Sequence, residues 1–281
     1  MNRPHTLEIG GHQLVYTEAG RSSAPALVMV HGWTSHRGVW RQTLAAFEDS
    51  HHCLALDLLG FGHSDKPPDG DYSIEAQAHR VLCLADALGL GRFHLAGHSM
   101  GGQVALLLAA RLAPERIVRL IDVAGVVSGR LTPAVERDVY RQVALCRAHP
   151  WLYPPVRWLA RFRWFARRIF PFWFYHPEGV PFETWRLDCQ MALQPGMAEP
   201  TYRAGQAIHA LDLTADLARI QAPTLVLFGR QDGTVPLAEG HLVHERVAGS
   251  RLVLLDECGH FPMYEQTAAY LAALRGFLGA K

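Results

Sequence analysis

One stretch constrains this chain more than any other: Leu95-Ala96-Gly97-His98-Ser99-Met100-Gly101-Gly102. An apolar run leads in from Phe93, and a long apolar segment of helical character leads out over residues 104–112. Gly-x-Ser-x-Gly between a strand and a helix suits a sharp turn with Ser99 at its tip. Gly97 and Gly101 carry no Cβ, so the flanking backbone can pass close to that turn. A strained Ser99 would project its Oγ above the sheet, where the next helix aims its N–H groups and positive dipole end. A bare five-residue match also fits a serine in an ordinary glycine-rich turn; the strand before it and the helix after it distinguish this one.

Strand-like and helix-like segments alternate on both sides. Residues 6–18 read as two short strands turned at Gly10-Gly11, and residues 26–30 and 52–56 as strands buried on both faces. A helix is expected around residues 39–47. A second is expected over 74–88, where Ile74, Ala78, Val81, Leu82, Ala85 and Leu88 recur at helical spacing before Gly89. Further strands read at 117–123, 224–228 and 251–255, with helices at 237–247 and at the chain end. The pattern implies an α/β fold with a mostly parallel central sheet flanked by helices. From about residue 125 to 211 the alternation stops, and Trp, Phe, Arg and Pro crowd a stretch with no strand pattern. The expected organisation is therefore a core of residues 1–125 and 211–281, with residues 126–210 inserted over the sheet.

Bulk properties exclude several classes. The chain has 281 residues and a net charge of +1, with 49% apolar residues, which suits one large core and argues against nucleic-acid binding or disorder. The N-terminal residues 1–8 lack an apolar signal core, and no apolar run approaches the ~20 residues of a membrane span. Cys53, Cys83, Cys146, Cys189 and Cys258 are odd in number and widely spaced, and read as reduced thiols of a cytoplasmic protein.

A nucleophilic serine needs a base, and the base needs an orienting acid. Catalytic groups in open α/β sheets gather at the carboxyl ends of strands. Asp232 follows the 224–228 strand and His260 follows the 251–255 strand, so Ser99, Asp232 and His260 are expected to meet. Asp122, near the end of the 117–123 strand, is the second choice of acid, because its surroundings are apolar. Asp57 reads as an organiser of its own loop.

These pieces together resemble the α/β-hydrolase-fold family, in its serine-nucleophile, esterase- and lipase-like branch. The likeness rests on His31-Gly32-Trp33, Asp57-Leu58-Leu59-Gly60-Phe61-Gly62-His63-Ser64, Gly97-His98-Ser99-Met100-Gly101-Gly102, Gly229-Arg230-Gln231-Asp232 and Gly259-His260-Phe261-Pro262. The resemblance implies Ser99 as nucleophile, His260 as base and Asp232 as acid. It also implies an oxyanion hole from the backbone N–H groups of Trp33 and Met100, and a helical cap at residues 126–210. The chemistry requires no cofactor and no metal.

Relatives of this fold that act on epoxides or haloalkanes carry Asp at the nucleophile position; Ser99 instead favours an acyl-enzyme. The expected activity is that of a carboxylesterase cleaving apolar or aromatic esters, with a small acyl compound as substrate. One alternative is C–C hydrolysis of a diketone-like acid, where the residue after the base is typically Trp rather than Phe261. Another is a hydrolase-fold ligand receptor with slow turnover.

From residue 139 to 177 there is no Asp or Glu, but there are Arg141, Arg147, Arg157, Arg161, Arg163, Arg167 and Arg168 among four Trp and five Phe. On one helix over residues 157–169, Trp158, Phe162 and Phe165 share a face opposite the arginines. That face, with Phe261, is expected to line the substrate pocket, leaving the arginines in water. Two other readings are a peripheral contact of this basic, aromatic face with an anionic lipid surface, and one arginine turned inward onto a substrate carboxylate.

Overall fold

The computed structural model describes residues 4–279; the first three residues of the N-terminal segment and the last two of the chain lie outside that range. Eight strands form one sheet: β1 (Pro4–Ile9), β2 (His12–Ala19), β3 (Ala26–Val30), β4 (His52–Leu56), β5 (Phe93–His98), β6 (Ile117–Val123), β7 (Thr224–Gly229) and β8 (Arg251–Leu255). Their order is β1-β2-β4-β3-β5-β6-β7-β8. The hairpin β1–β2 and the β2–β4 pair are antiparallel, and β3 to β8 run parallel. β3, β4, β5 and β7 are buried at every position, as expected of strands covered on both faces. At the β1–β2 turn, Gly10 and Gly11 both have positive φ, the conformation of a two-residue turn that matches the strand twist.

Helices α1 (Arg41–Phe47), α2 (Ile74–Ala87) and α3 (Met100–Leu107) connect the first parallel strands. Ser73 starts α2 by accepting a hydrogen bond from the Ala76 N–H at 3.2 Å, and Gly89 follows its end with φ +68°. Between β6 and β7 the chain makes five helices and no strand: α4 (Pro133–Ala148), α5 (Tyr153–Leu159), α6 (Arg163–Ile169), α7 (Phe182–Ala192) and α8 (Ala198–Ala210). α9 (Leu237–Arg246), α10 (Pro262–Glu265) and α11 (Thr267–Leu278) complete the chain. No helix among the described residues is long and apolar enough to cross a membrane.

One sequence expectation is corrected here. Residues 157–169 are not one helix. α5 ends at Leu159, Phe162 is extended (φ −96°, ψ 127°), and α6 starts at Arg163. Each piece has seven residues, too short for helix propensity to hold by itself, so tertiary packing decides the path. The break resets the helical phase. Ala160 and Ala166 become fully buried, while Trp158 and Phe162 turn outward, 53% and 41% exposed, with ring centroids 5.3 Å apart.

Candidate active site

The glycines of the Ser99 turn are required by close approach. A Cβ on Gly97 would stand 2.1 Å from the Gly101 carbonyl oxygen, and one on Gly101 would stand 2.2 Å from that of Val30. Ser99 itself has φ 57° and ψ −119°, a strained conformation for a residue with a Cβ. The Ser99 N–H donates to the Val123 carbonyl at 3.0 Å, which pins the turn to the end of β6. Met100 opens α3, so its N–H has no acceptor within the helix. Among the described residues, the other non-glycine residues with positive φ are Thr34, Ala124 and Glu257, which follow β3, β6 and β8. Backbone strain is thus gathered at the carboxyl edge of the sheet.

The loop after β3 lies against this turn, because a Cβ on Gly32 would meet the Ser99 Cβ at 2.8 Å. Buried His31 shapes the loop. Its Nδ1–H donates to the Gly32 carbonyl at 2.8 Å, and its Nε2 accepts the Leu58 N–H at 3.0 Å. Burial holds this imidazole neutral by lowering its pKa to about 4. Trp33 follows Gly32 directly in this loop and, like Ser99, borders the cavity. The Trp33 indole donates to the Thr201 carbonyl at 2.8 Å, and the residue also lines the cavity. Asp57 organises the neighbouring loop by accepting from the N–H groups of Arg37 and His63 and pairing with the Arg37 guanidinium.

His260 Nδ1 donates to Asp232 Oδ2 at 2.8 Å, and both side chains are almost wholly buried. The other Asp232 oxygen accepts the N–H groups of Thr234 and Val235 at 2.8 and 3.0 Å, which fixes the carboxylate. Ser99 and His260 face one cavity. Ser99 Oγ is not hydrogen-bonded to the imidazole in this structure; in resting sites of this kind that contact commonly tightens around substrate. The Asp122 carboxyl makes no hydrogen bond to His260 or to any other described residue.

Three supports of the His260 loop carried no signal in the sequence. His98 Nε2–H donates to the His260 carbonyl at 2.8 Å, and burial, with His260 beside it, keeps the His98 pKa well below its usual value. The His260 N–H donates to the Trp173 carbonyl at 3.1 Å. Glu265 accepts the Gly259 N–H on one oxygen and the Tyr175 N–H on the other, at 2.8 and 2.7 Å. Two of these ties reach into the helical insertion. A fourth polar clasp joins the insertion to the core: Asp188 on α7 accepts from His36, Tyr264 and Arg41 at 2.7, 2.9 and 3.2 Å. Burial alone would raise the Asp188 pKa, but the hydrogen bond and charge of His36 and the charge of Arg41 hold it low.

The cavity has a volume of about 300 Å³, within the range of small-molecule sites. Its walls come from the core loops, from α4, α5, α6 and the 170–173 segment, and from Ala192 of α7 and Thr201 and Ile208 of α8. Of the aromatic residues expected here, Phe165 and Phe261 line it; Trp158 and Phe162 do not, for the reason given above. Phe170, Phe172 and Trp173 take their place, with Phe170 and Trp173 stacked at 4.1 Å. Among the described residues, no Asp, Glu, Lys or Arg lines the cavity.

The sequence model of the alpha/beta hydrolase family matches residues 27–274. The chain belongs to that family. Lipase 1 of Psychrobacter immobilis is 25% identical over 278 residues, covering 96% of this chain and 83% of that one. The 2-hydroxymuconate semialdehyde hydrolase of Pseudomonas sp. (strain CF600) is 28% identical, covering 90% and 86%. Among solved structures, a hydrolase from Pseudomonas aeruginosa PA01 superposes with a TM-score of 0.80 at 28% identity, covering 99% of both chains. Family and relatives together make this chain a hydrolase. The two curated relatives differ in substrate, so the reaction must be argued from the site.

Proposed function

We propose that this hydrolase is a serine carboxylesterase that cleaves esters of apolar acyl groups through an acyl-enzyme. Ser99 Oγ attacks the ester carbonyl carbon while His260 Nε2 takes its proton. Asp232 holds the imidazole in the required tautomer and stabilises its cation. The N–H groups of Trp33 and Met100 receive the oxyanion, each such donor being worth roughly 3 kcal/mol of barrier. The imidazolium then protonates the leaving alcohol, and a water activated by His260 releases the acid.

The observation that carries this reading over C–C hydrolysis is the cavity wall. A diketone-like acid brings a carboxylate, and a buried carboxylate demands a cation or several donors. The seven arginines at residues 141–168 all stay out of the cavity lining. An acyl chain needs only apolar contact, and most of the wall offers that. The complete Asp232–His260 pair supports an enzyme over a slow receptor.

The test is turnover of nitrophenyl esters from acetate to palmitate, beside a diketone-like acid. Ester turnover should dominate, and Ser99→Ala should lower it by roughly three orders of magnitude or more while the protein stays folded. A folded variant that keeps a tenth of its activity would remove Ser99 as the nucleophile. Preferred turnover of the acid would favour C–C hydrolysis.

A further inference from the structure

We infer that the α4–α6 face of the insertion is a docking surface for an anionic lipid bilayer, with the cavity opening on it. The strongly exposed large apolar side chains of the described residues are Leu145, Trp151, Trp158, Phe162, Trp164, Tyr175 and Leu187, and all belong to the insertion. Five of them fall between residues 145 and 164. Trp151 and Trp164 are 69% and 67% exposed, unusual for the largest apolar side chain. The patch is continuous with the cavity: Leu145 is both exposed and part of the lining, and Trp164 packs edge-on at 5.5 Å against Phe165, which lines the wall.

Charge selects the occupant. Arg163 and Arg167 pair with Glu178, and Arg147 pairs with Glu199. Arg141, Arg157, Arg161 and Arg168 have no carboxylate oxygen within salt-bridge distance among the described residues. Arg161 lies 5.8 Å from the Trp158 ring centre, so cation and aromatic share one spot. This is a local excess, since the whole chain carries only +1. Exposed Trp interleaved with unpaired Arg is the composition that seats at the headgroup level of an anionic bilayer, Trp among the acyl boundary and Arg on the phosphates. A second copy of this chain would set arginine against arginine on a symmetric interface. Docking in this orientation would put the cavity mouth against the bilayer, though the docking itself does not depend on the ester reading.

The experiment is co-sedimentation of the full chain with vesicles of phosphatidylcholine and with vesicles in which half the lipid is phosphatidylglycerol. Binding should be strong only with phosphatidylglycerol, and should fall steeply with added salt as charges are screened. Each arginine near such a surface contributes about fivefold in partitioning, so Arg157→Ala/Arg161→Ala/Arg168→Ala should bind about a hundredfold more weakly. Trp151→Ala/Trp158→Ala/Trp164→Ala should lose about tenfold or more. Both variants should keep their thermal midpoint and their kcat/KM on a soluble short-chain nitrophenyl ester within about twofold. The salt titration needs no substitution, so a variant that misfolds leaves the inference exposed. No binding to phosphatidylglycerol vesicles overturns it. So does equal binding to both vesicle types, or variants that bind as the parent does. A parent dimer that the tryptophan variant splits into monomers, without vesicle binding, would show a self-association face instead.

Discussion

Replacing Asp122 by Asn should make the stability of this protein less sensitive to pH, and should raise it in mild alkali. Asp122 sits in β6 opposite Gly97 of β5 and Val226 of β7. Both carboxyl oxygens are buried with no hydrogen-bond partner among the described residues. Two glycines make its room, since a Cβ on Gly125 or Gly102 would come within 1.8 or 2.6 Å of Oδ1. Burial pushes the pKa up from 3.8 to about 7, and the Glu239 carboxylate beside it adds to the rise. Because the folded pKa exceeds the unfolded one, the native state keeps a proton that the unfolded chain has lost across this window. Stability is therefore full below the unfolded pKa and declines as pH rises toward 7. The slope is about 1.4 kcal/mol per unit, and over about three units the loss has a ceiling of roughly 4 kcal/mol. Asn keeps the shape and cannot ionise. Its unpaired amide costs about 1–3 kcal/mol, comparable to the neutral acid, so the two proteins should be similar near pH 4. Urea midpoints taken from about pH 4 to 8 should show the parent falling and the variant falling less, with the variant ahead by about 2–4 kcal/mol at the alkaline end. Parallel curves, or a parent that gains stability with pH, would refute the reasoning. Ester turnover of the variant should stay within about twofold near neutral pH, because Asp232 and not Asp122 holds His260.

Asp232→Asn should lower kcat by roughly a hundredfold or more, since an amide can hold the wrong imidazole tautomer; near-normal turnover, with a damaged Asp122→Asn, would move the acid to Asp122. Val156→Trp should fill part of the α5 wall and shorten the longest acyl chain turned over, while Phe165→Ala should extend it. Each methylene gained or lost should change kcat/KM by about fourfold, read from the nitrophenyl ester series. An unchanged chain-length profile in both variants would mean that the acyl group lies elsewhere.

The contrast between core and insertion shows what a single sequence carries. At the sheet, local chemistry and local geometry coincide. A strand buried on both faces must be an apolar run, as at residues 26–30, and a backbone that touches its neighbour must be glycine, as at Gly97 and Gly101. Ser99 and Asp232, standing just past such runs, and His260, in the loop after the half-buried edge strand β8, are conspicuous because nothing in a buried strand needs them. In the insertion no such constraint holds. Helical periodicity over residues 157–169 assumes an unbroken helix, and the extended Phe162 breaks it without a Pro or Gly to announce the change. The supports of the site were silent for another reason. His98, Glu265 and Asp188 act on partners far along the chain, or through backbone groups that every residue has. Thr34 gives no warning either, since a β-branched residue at φ 58° is forced by the fold around it. A site of this kind is thus legible where its function needs unusual residues, and illegible where it needs ordinary residues in unusual places. The cavity wall belongs to the second kind. Which aromatic residues meet the substrate and which meet the solvent depends on a three-residue break that the pattern does not mark. For that reason the acyl-length experiment on Val156 and Phe165 tests the structure, while the substitutions at Ser99 and Asp232 test the sequence.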